Sequence, residues 1–137
     1  MANKRPYGPG FHHIAIRTTD FEATVRFYEE GIGCVRRFGW GEGNTRAALM
    51  DTGDGNYVEI FADRGEGEIP EGGIIHYALR TDDADAAYAK ALAAGATSVM
   101  EPKDATPAHA DRPITFRVAF VRGPAGETIE FFQNDEL

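Results

Sequence analysis

The sequence is poor in cysteine and in long apolar runs. Its one cysteine is Cys34, so an intramolecular disulfide framework is excluded, and this usage is typical of a reducing cytoplasm. No run approaches the about 18 consecutive apolar residues that a membrane-spanning helix needs. The stretch MANKRPYGPG at the start lacks the apolar segment of a secretory signal. These absences predict a cytoplasmic protein without a membrane partner.

Positive charge is scarce as well. The chain has 14 Lys and Arg against 22 Asp and Glu, a formal net charge of −8. Nonspecific binding to nucleic acid or to an anionic membrane requires a positive field, so neither is expected as a partner. Metal ions and small organic molecules remain as ligands.

The chain does contain enough apolar residues for one core, together with a first series of sequence patterns that predict strands and a helix. Its 137 residues, 42% of them hydrophobic, suit a single domain, 1–137. Alternation over 11–18 predicts a strand, and Asp20 is a good N-cap for the helix that follows. Glycine-rich turns then separate three further predicted strands, at 34–40, 45–51 and 57–63.

The same order of elements returns after a polar, glycine-rich connection. A strand at 73–81 and a helix at 82–95 precede three strands, at 96–100, 114–122 and 127–134. The polar segment 101–113 interrupts these strands. Each half therefore has the order β-α-β-β-β, with module one at about 10–64 and module two at about 73–134.

The two halves also match residue by residue. The stretch HIAIRTTD, which starts at His13, aligns with HYALRTDD, which starts at His76. Near the end of each half, GNYVEIF aligns with GETIEFF and places Glu59 on Glu130. This self-similarity indicates two copies of one supersecondary unit, neither of which can bury its own apolar face.

Four polar side chains share one face of their strands. Successive side chains on a strand point to opposite faces, and in four strands one His or Glu lies opposite the aliphatic residues. A carboxylate inside an apolar strand is costly unless a positive group compensates it. Two imidazoles and two carboxylates suit a divalent transition metal: nickel, zinc, cobalt, manganese or iron. The predicted metal ligands are His13, Glu59, His76 and Glu130.

His12 falls outside this set. Strict alternation places it on the helix-covered face, and Ile75 holds its position in the second half. We therefore expect a structural or partly exposed His12. For each histidine alone, hydrogen-bonded packing is the alternative to metal binding. For each glutamate alone, the alternative is an ion pair with Arg17, Arg80 or Arg117.

The sequence resembles the vicinal oxygen chelate superfamily, which includes glyoxalase I, methylmalonyl-CoA epimerase, fosfomycin-resistance enzymes, extradiol dioxygenases and bleomycin-binding proteins. The resemblance covers about 10–134 and rests on HHIAIRTTDFEATVRFYEEGIG, YVEIF, IIHYALRTDD and GPAGETIEFF. It implies an α+β fold in which two βαβββ modules form a cupped mixed sheet, with the helices on its convex face. It also implies a homodimer and a metal held by the same four residues.

The ligand pattern His, Glu, His, Glu looks most like bacterial-type glyoxalase I. That resemblance implies a lyase or isomerase that transfers a proton through a metal-stabilised enediolate or enolate. Glu130 would be the base, Glu59 its partner and glutathione a co-substrate. Arg17 matches a glutathione-contacting arginine of some members, but Asp63 stands where glyoxalases often have Asn. The substrate is therefore open.

Other members of the superfamily supply the alternatives. An extradiol dioxygenase would use His13, His76 and Glu130 as its ligands, and epimerases commonly carry Gln at the position of Glu59. Bleomycin-binding relatives lack the metal set, so a small-molecule binding or antibiotic resistance protein is the alternative that is not an enzyme.

Several residues outside the ligand set are candidates for contact with a small-molecule substrate. Tyr57, Phe61 and Phe132 share the face of the predicted ligands and would shape a pocket. Trp40, Arg117 and Arg17 are further candidates. The connection between the modules and the segment 101–113 are candidates for a lid. His109, within that segment, is expected to be a surface histidine.

Overall fold

The computed structural model describes residues 9–63, 70, 72–123 and 127–137. Two α-helices lie in these ranges, α1 at Phe21–Arg26 and α2 at Ala84–Ala93. The strands are β1 Phe11–Thr18, β2 Val35–Trp40, β3 Ala47–Asp51, β4 Tyr57–Ala62, β5 Ile74–Arg80, β6 Thr97–Ala105, β7 Phe116–Arg122 and β8 Thr128–Gln133.

Both helices begin after an aspartate cap, the first at Asp20 as the sequence predicts and the second at Asp83. The side chain of Asp20 accepts a hydrogen bond from the backbone N–H of Ala23, and Asp83 does the same for Ala86. After α1 the chain continues as a π-helix over Phe27–Ile32 and ends at Gly33, whose φ of 92° is left-handed. The first helix is therefore where the sequence predicts it, but its second half has the wider π geometry.

The described strands form one open, mixed sheet in the order β2-β3-β4-β1-β5-β8-β7-β6. Within each module the first strand pairs in parallel with the last, β1 with β4 and β5 with β8. The modules join where β1 and β5 pair antiparallel in the middle of the sheet. This confirms the predicted α+β fold of two βαβββ modules.

One face of the sheet is covered by the helices. Phe21 and Val25 of α1 pack against a buried group around Met50 and Ile60 of module one. Ala87 and Ala91 of α2 pack in the same way against Val121 and its neighbours in module two. The hydrophobic residues on the convex side therefore form two separate clusters, one under each helix.

The opposite, concave face holds a third apolar cluster, which spans both modules. We call this cluster the cup. Its buried members are Phe38, Leu49, Tyr57, Ala78, Ile114, Phe116, Val118, Phe132 and Leu137. Because β1 and β5 lie at the centre of the sheet, any polar side chain that they direct to this face is surrounded by the cup.

Strand β6 is longer than the sequence indicates. The predicted strand 96–100 continues through residues that we expected to be a loop, since Lys103, Asp104 and Ala105 pair with β7. The register of β6 against β7 shifts between Met100 and Lys103, on either side of Pro102. A proline cannot donate to the ladder and is tolerated at such an irregularity. The segment that leaves the sheet therefore starts after Ala105.

Among the described residues, no helix is long and apolar enough to cross a membrane. Most of the connection between the modules, residues 64–69 and 71, lies outside the described residues, so its predicted role as a lid remains a prediction.

Candidate metal centre

A β-bulge at the start of β1 determines which histidines reach the cup. The register of β1 against β5 shifts between Phe11 and His13, so His12 is the extra residue. A bulge interrupts the alternation of side chains. Phe11 contacts Tyr77 with ring centroids 5.7 Å apart and is 46% exposed, whereas His12 and His13 are both buried. We expected a structural or a partly exposed His12 on the helix-covered face. The structure excludes the exposure and the face, since strict alternation does not hold across a bulge.

The four predicted ligands converge in the middle of the cup. Their potential ligand atoms all lie within 4.8 Å of one another, and each residue is buried. His13 Nε2 lies 3.1 Å from Glu59 Oε1 and 2.8 Å from Glu130 Oε2. His76 Nε2 lies 3.4 Å and 3.0 Å from the same two oxygens. We call these four residues the His/Glu cluster.

The His/Glu cluster takes one residue from each of four neighbouring strands. His13 and His76 lie on the central pair β1 and β5, while Glu59 on β4 and Glu130 on β8 flank them. In the register, Glu59 lies beside Ala15 of β1, and Glu130 lies beside Ala78 of β5. These alanines are fully buried and leave room above the backbone, so the longer side chains can lean inward from both sides.

The residues of the cluster fit a divalent transition metal. Ligand atoms about 2.1 Å from an ion are about 3.0 Å apart when they are adjacent in an octahedral shell, close to the 2.8–3.4 Å separations in the cluster. Glu59 Oε1 and Glu130 Oε2 are buried, and the polar atoms closest to them in the cluster are the two imidazole Nε2 atoms, which can donate to them only when the rings carry a proton there. Two buried carboxylate oxygens need a positive charge between them.

The pKa values of the four cluster residues also indicate that the carboxylates favour a positive charge beside them. Burial alone would lower the pKa of both histidines. The charge and hydrogen bonding of the two carboxylates outweigh this effect, so the pKa of His13 is raised to about 10 and that of His76 to about 9. Burial likewise disfavours the charged carboxylates, but the imidazoles hold the pKa of Glu59 and Glu130 below its usual range. The two Nε2 atoms are only 2.9 Å apart, so two protons between them would face each other. A cation avoids this conflict, because each residue then offers a lone pair.

His12 lies directly behind the cluster. Its Nδ1 is 2.7 Å from Nδ1 of His13, and its ring stacks on Phe132 with centroids 3.8 Å apart. Burial, with the adjacent His13, lowers the pKa of His12 to about 2, so this imidazole is neutral. Sequence reasoning missed the contact, and the signal that could have found it is the unusual pair of adjacent histidines at the start of a strand.

The aromatic residues predicted to shape a pocket surround the cluster. The ring of Phe132 meets that of His13 edge to face at 5.7 Å, and the ring of Phe61 lies 6.4 Å from His76. Tyr57 is buried against His12 at 5.1 Å, and Trp40 contacts Phe61 at 6.2 Å. Phe120, which the sequence did not single out, also faces His76 at 5.3 Å. Whether these side chains contact a substrate remains a prediction.

The two predicted substrate arginines lie in different places. Arg17 is buried on β1, and its Nε lies 3.7 Å from Asp63 Oδ1 without a hydrogen bond among the described residues. Arg117 instead donates to Asp85 at the start of α2 and to Asp104. The structure therefore does not bring Arg117 to the His/Glu cluster, and we leave it out of the site.

The segment after β6 crosses from module two to the edge of module one. The backbone N–H of Asp111 donates to Gly39 of β2, and its carboxylate accepts two hydrogen bonds from Arg36. Ala110 and Ile114 of the segment pack on the cup. His109 is exposed and lies 3.4 Å from Glu42, consistent with the expected surface role. The segment thus lies against the rim of the cup, while its predicted opening as a lid remains a prediction.

The comparison with known proteins identifies the family. Residues 10–131 match the Glyoxalase/Bleomycin resistance protein/Dioxygenase superfamily. The protein YwbC of Bacillus subtilis (strain 168), described as uncharacterized, is 35% identical over 125 residues, which span 88% of this chain and 94% of YwbC. The chain therefore belongs to this superfamily, the one that its sequence resembles.

Solved structures of the same superfamily share the fold. Methylmalonyl-CoA epimerase from Mycobacterium tuberculosis superposes with a TM-score of 0.72 at 21% identity, over 92% of this chain and 88% of the epimerase. A variant of the Streptomyces coelicolor epimerase in complex with 2-nitronate-propionyl-CoA gives a TM-score of 0.73 at 23% identity, over 95% and 98%. At these identities the likeness establishes the architecture alone.

Proposed function

We propose that this protein is a metal-dependent isomerase or lyase that transfers a proton at a carbon next to a carbonyl group. The observation that carries the proposal is the His/Glu cluster, in which both modules contribute one imidazole and one carboxylate to a single buried point. Membership of the superfamily supports an enzyme of glyoxalase type. The experiment that tests it is the exchange of a substrate proton in deuterated water.

The four cluster residues would hold the metal, and the two glutamates have the means to move a proton. A bound divalent ion supplies a Lewis acid that stabilises negative charge on a substrate oxygen. Glu130 is the proposed base and Glu59 its partner. Because they approach from β8 and β4, on opposite sides of the histidine pair, one can remove a proton and the other can return it elsewhere.

The surroundings of the cluster favour a substrate with an apolar or flat reacting end. Tyr57, Phe61 and Phe132 exclude water from the cluster, which strengthens electrostatic interactions inside it. Arg17 is the buried cation on the same strand as His13, but Asp63 already lies against it. This contact weakens the case for Arg17 as a glutathione carboxylate site.

Two substrate classes follow from the superfamily. The His, Glu, His, Glu pattern favours a glutathione hemithioacetal, as in glyoxalase I. The likeness of the fold to methylmalonyl-CoA epimerases favours an acyl-CoA thioester, in which the proton is removed and returned at one carbon. We further propose a cytoplasmic homodimer, from the cysteine usage and from the assembly that the superfamily resemblance implies.

The decisive experiment follows a proton rather than a product. The protein, loaded in turn with nickel, cobalt, zinc, manganese and iron, is incubated in deuterated water with methylglyoxal plus glutathione or with acyl-CoA thioesters. We expect metal-dependent incorporation of deuterium next to the carbonyl. The Glu130→Gln variant should lose it, whereas Glu101→Gln, an exposed glutamate of β6, should not.

Other outcomes would contradict the proposal. Less than about 0.2 equivalents of bound metal after supplementation would favour a metal-free binding or antibiotic resistance protein instead. Metal-dependent oxygen uptake with catechols, without proton exchange, would favour a dioxygenase that uses His13, His76 and Glu130.

A further inference from the structure

The feature that the proposed chemistry does not use is the second histidine of the opening pair. His12 is fully buried, with its Nδ1 2.7 Å from Nδ1 of the proposed ligand His13. Its ring stacks on Phe132 and touches Tyr57, which holds it against the floor of the cup. Module two has Ile75 at this position, so the contact occurs in one half of the duplicated fold.

The short distance between the two Nδ1 atoms constrains where the protons lie. Two nitrogens at 2.7 Å share one proton, so one ring donates and the other accepts. His13 directs Nε2 into the His/Glu cluster, and binding a metal there requires a free lone pair on that atom. In the neutral ring the proton is then on Nδ1, and it is donated to Nδ1 of His12.

We infer that His12 is a positioning residue, which holds His13 in the tautomer and ring orientation that binds metal. Ligating histidines usually donate their second N–H to a carboxylate, a backbone carbonyl or water. Here a neutral imidazole takes that role, so the support adds no further negative charge to a cluster that already has two carboxylates. The inference rests on the metal site of the proposed function.

Packing alone does not explain an imidazole at this position. His12 Nε2 is buried and makes no well-aligned hydrogen bond among the described residues, although the backbone of Leu137 lies close enough to favour a proton on the ring, and a poorly paired buried nitrogen is unfavourable for stability. A phenylalanine would stack on Phe132 without that poorly paired nitrogen, but it would offer His13 no acceptor. The group that distinguishes histidine from phenylalanine is therefore the Nδ1 that meets His13.

Two variants separate the positioning role from a packing role. His12→Phe keeps an aromatic ring on Phe132 and removes the acceptor. His12→Asn gives up the ring but places a carbonyl oxygen at the same number of bonds from the backbone as Nδ1. Each metal-free variant is assayed for its Co²⁺ dissociation constant by competition with a chromophoric chelator, for the visible spectrum of bound Co²⁺, and for its unfolding temperature without metal.

The positioning role predicts that metal affinity and stability respond in opposite ways. His12→Phe should weaken Co²⁺ binding by about 10–100-fold, the usual effect of losing a partner of a ligating histidine, with an unchanged or higher unfolding temperature. Its Co²⁺ spectrum should also shift. His12→Asn should bind Co²⁺ more tightly than His12→Phe, although it unfolds at a lower temperature.

The inference is overturned if His12→Phe binds Co²⁺ within threefold of the wild type, or if affinity follows the unfolding temperature across both variants. Failure of the wild type to bind any divalent metal would instead refute the proposed function. The two failures are therefore distinguishable in one data set.

Discussion

At the scale of single residues, the site depends on two glutamates that are buried beside two imidazoles. Glu59 and Glu130 each place a buried oxygen toward two imidazoles in an apolar surrounding. Such a carboxylate is costly for folding, and its cost is reduced by the neighbouring histidines or by a cation. The residues that carry the proposed chemistry therefore depend on positive charge, either from the two histidines or from a bound cation.

Replacing Glu130 with glutamine should separate chemistry from folding. The amide keeps the volume but cannot accept a proton from carbon, so turnover should fall by about 100-fold or more. The metal-free variant should still fold but should be less stable than the wild type at neutral pH, because the two imidazoles lose a buried anionic partner whose pKa they hold below its usual range. Rates and denaturant unfolding of both proteins provide the test, and retained turnover would remove Glu130 from the mechanism.

Asp51 provides a residue-scale prediction away from the cluster. Burial disfavours its charged form, but hydrogen bonds from Arg37 and from the backbone of Gly53 and Gly55 hold its pKa below the usual value. A lowered folded-state pKa means that the stabilisation is complete above the unfolded value of about 3.9 and is lost as the pH falls through the folded value.

Asp51→Asn should therefore destabilise the protein by about 1–3 kcal/mol near neutral pH, because Arg37 loses its acceptor. The difference from the wild type should shrink as the pH drops below about 4. Urea unfolding at a series of pH values measures it. A difference that stays constant across the acid range would show that the charge of Asp51 is not the cause.

At the scale of the element, small irregularities decide what each strand presents. The bulge in β1 turns two consecutive histidines to the same face, and the register shift near Pro102 lets β6 continue where a proline would otherwise end it. The helices have a simpler role, since their aspartate caps and apolar faces close the convex side of each module.

The cap of α2 should affect stability without affecting the site. Asp83→Ala removes the acceptor for the backbone N–H of Ala86 and should cost about 1 kcal/mol. Asp83→Ser retains an acceptor and should recover most of that loss. Because α2 packs on the face opposite the cluster, the metal affinity of both variants should equal that of the wild type. A change in metal affinity on Asp83→Ala would show that the two faces are coupled.

At the scale of the whole molecule, the metal site is the point where the two modules meet. Its ligands come from β4, β1, β5 and β8, the four central strands, so neither module can form it alone. A ligand that binds the folded chain and not the unfolded one stabilises the whole fold by mass action.

Metal should therefore raise the stability of the entire protein. A free metal concentration 100 times the dissociation constant should add about 2.7 kcal/mol to the free energy of unfolding. Thermal unfolding with and without metal gives the measurement. The double variant Glu59→Gln with Glu130→Gln should show no such gain, and an equal gain in that variant would place the bound metal elsewhere.

Much of this architecture could be predicted from the sequence because its signals are local or repeated. Alternation within strands, aspartate caps and the duplication predicted the element order, the two modules and one face for His13, Glu59, His76 and Glu130. The less regular features were harder to predict. The extension of β6, the π-helical end of the first helix and the burial of His12 all depend on pairing with distant strands, which alternation within one strand does not record.

The sequence by itself determined which residue types lie on which strands, since period and duplication are properties of the chain alone. Only the tertiary structure decided that those strands lie side by side, because strand order depends on long-range pairing. Likewise, only the pairing of β1 with β5 turned His12 inward behind His13, and only the position of α2 over β7 brought Asp85 within reach of Arg117.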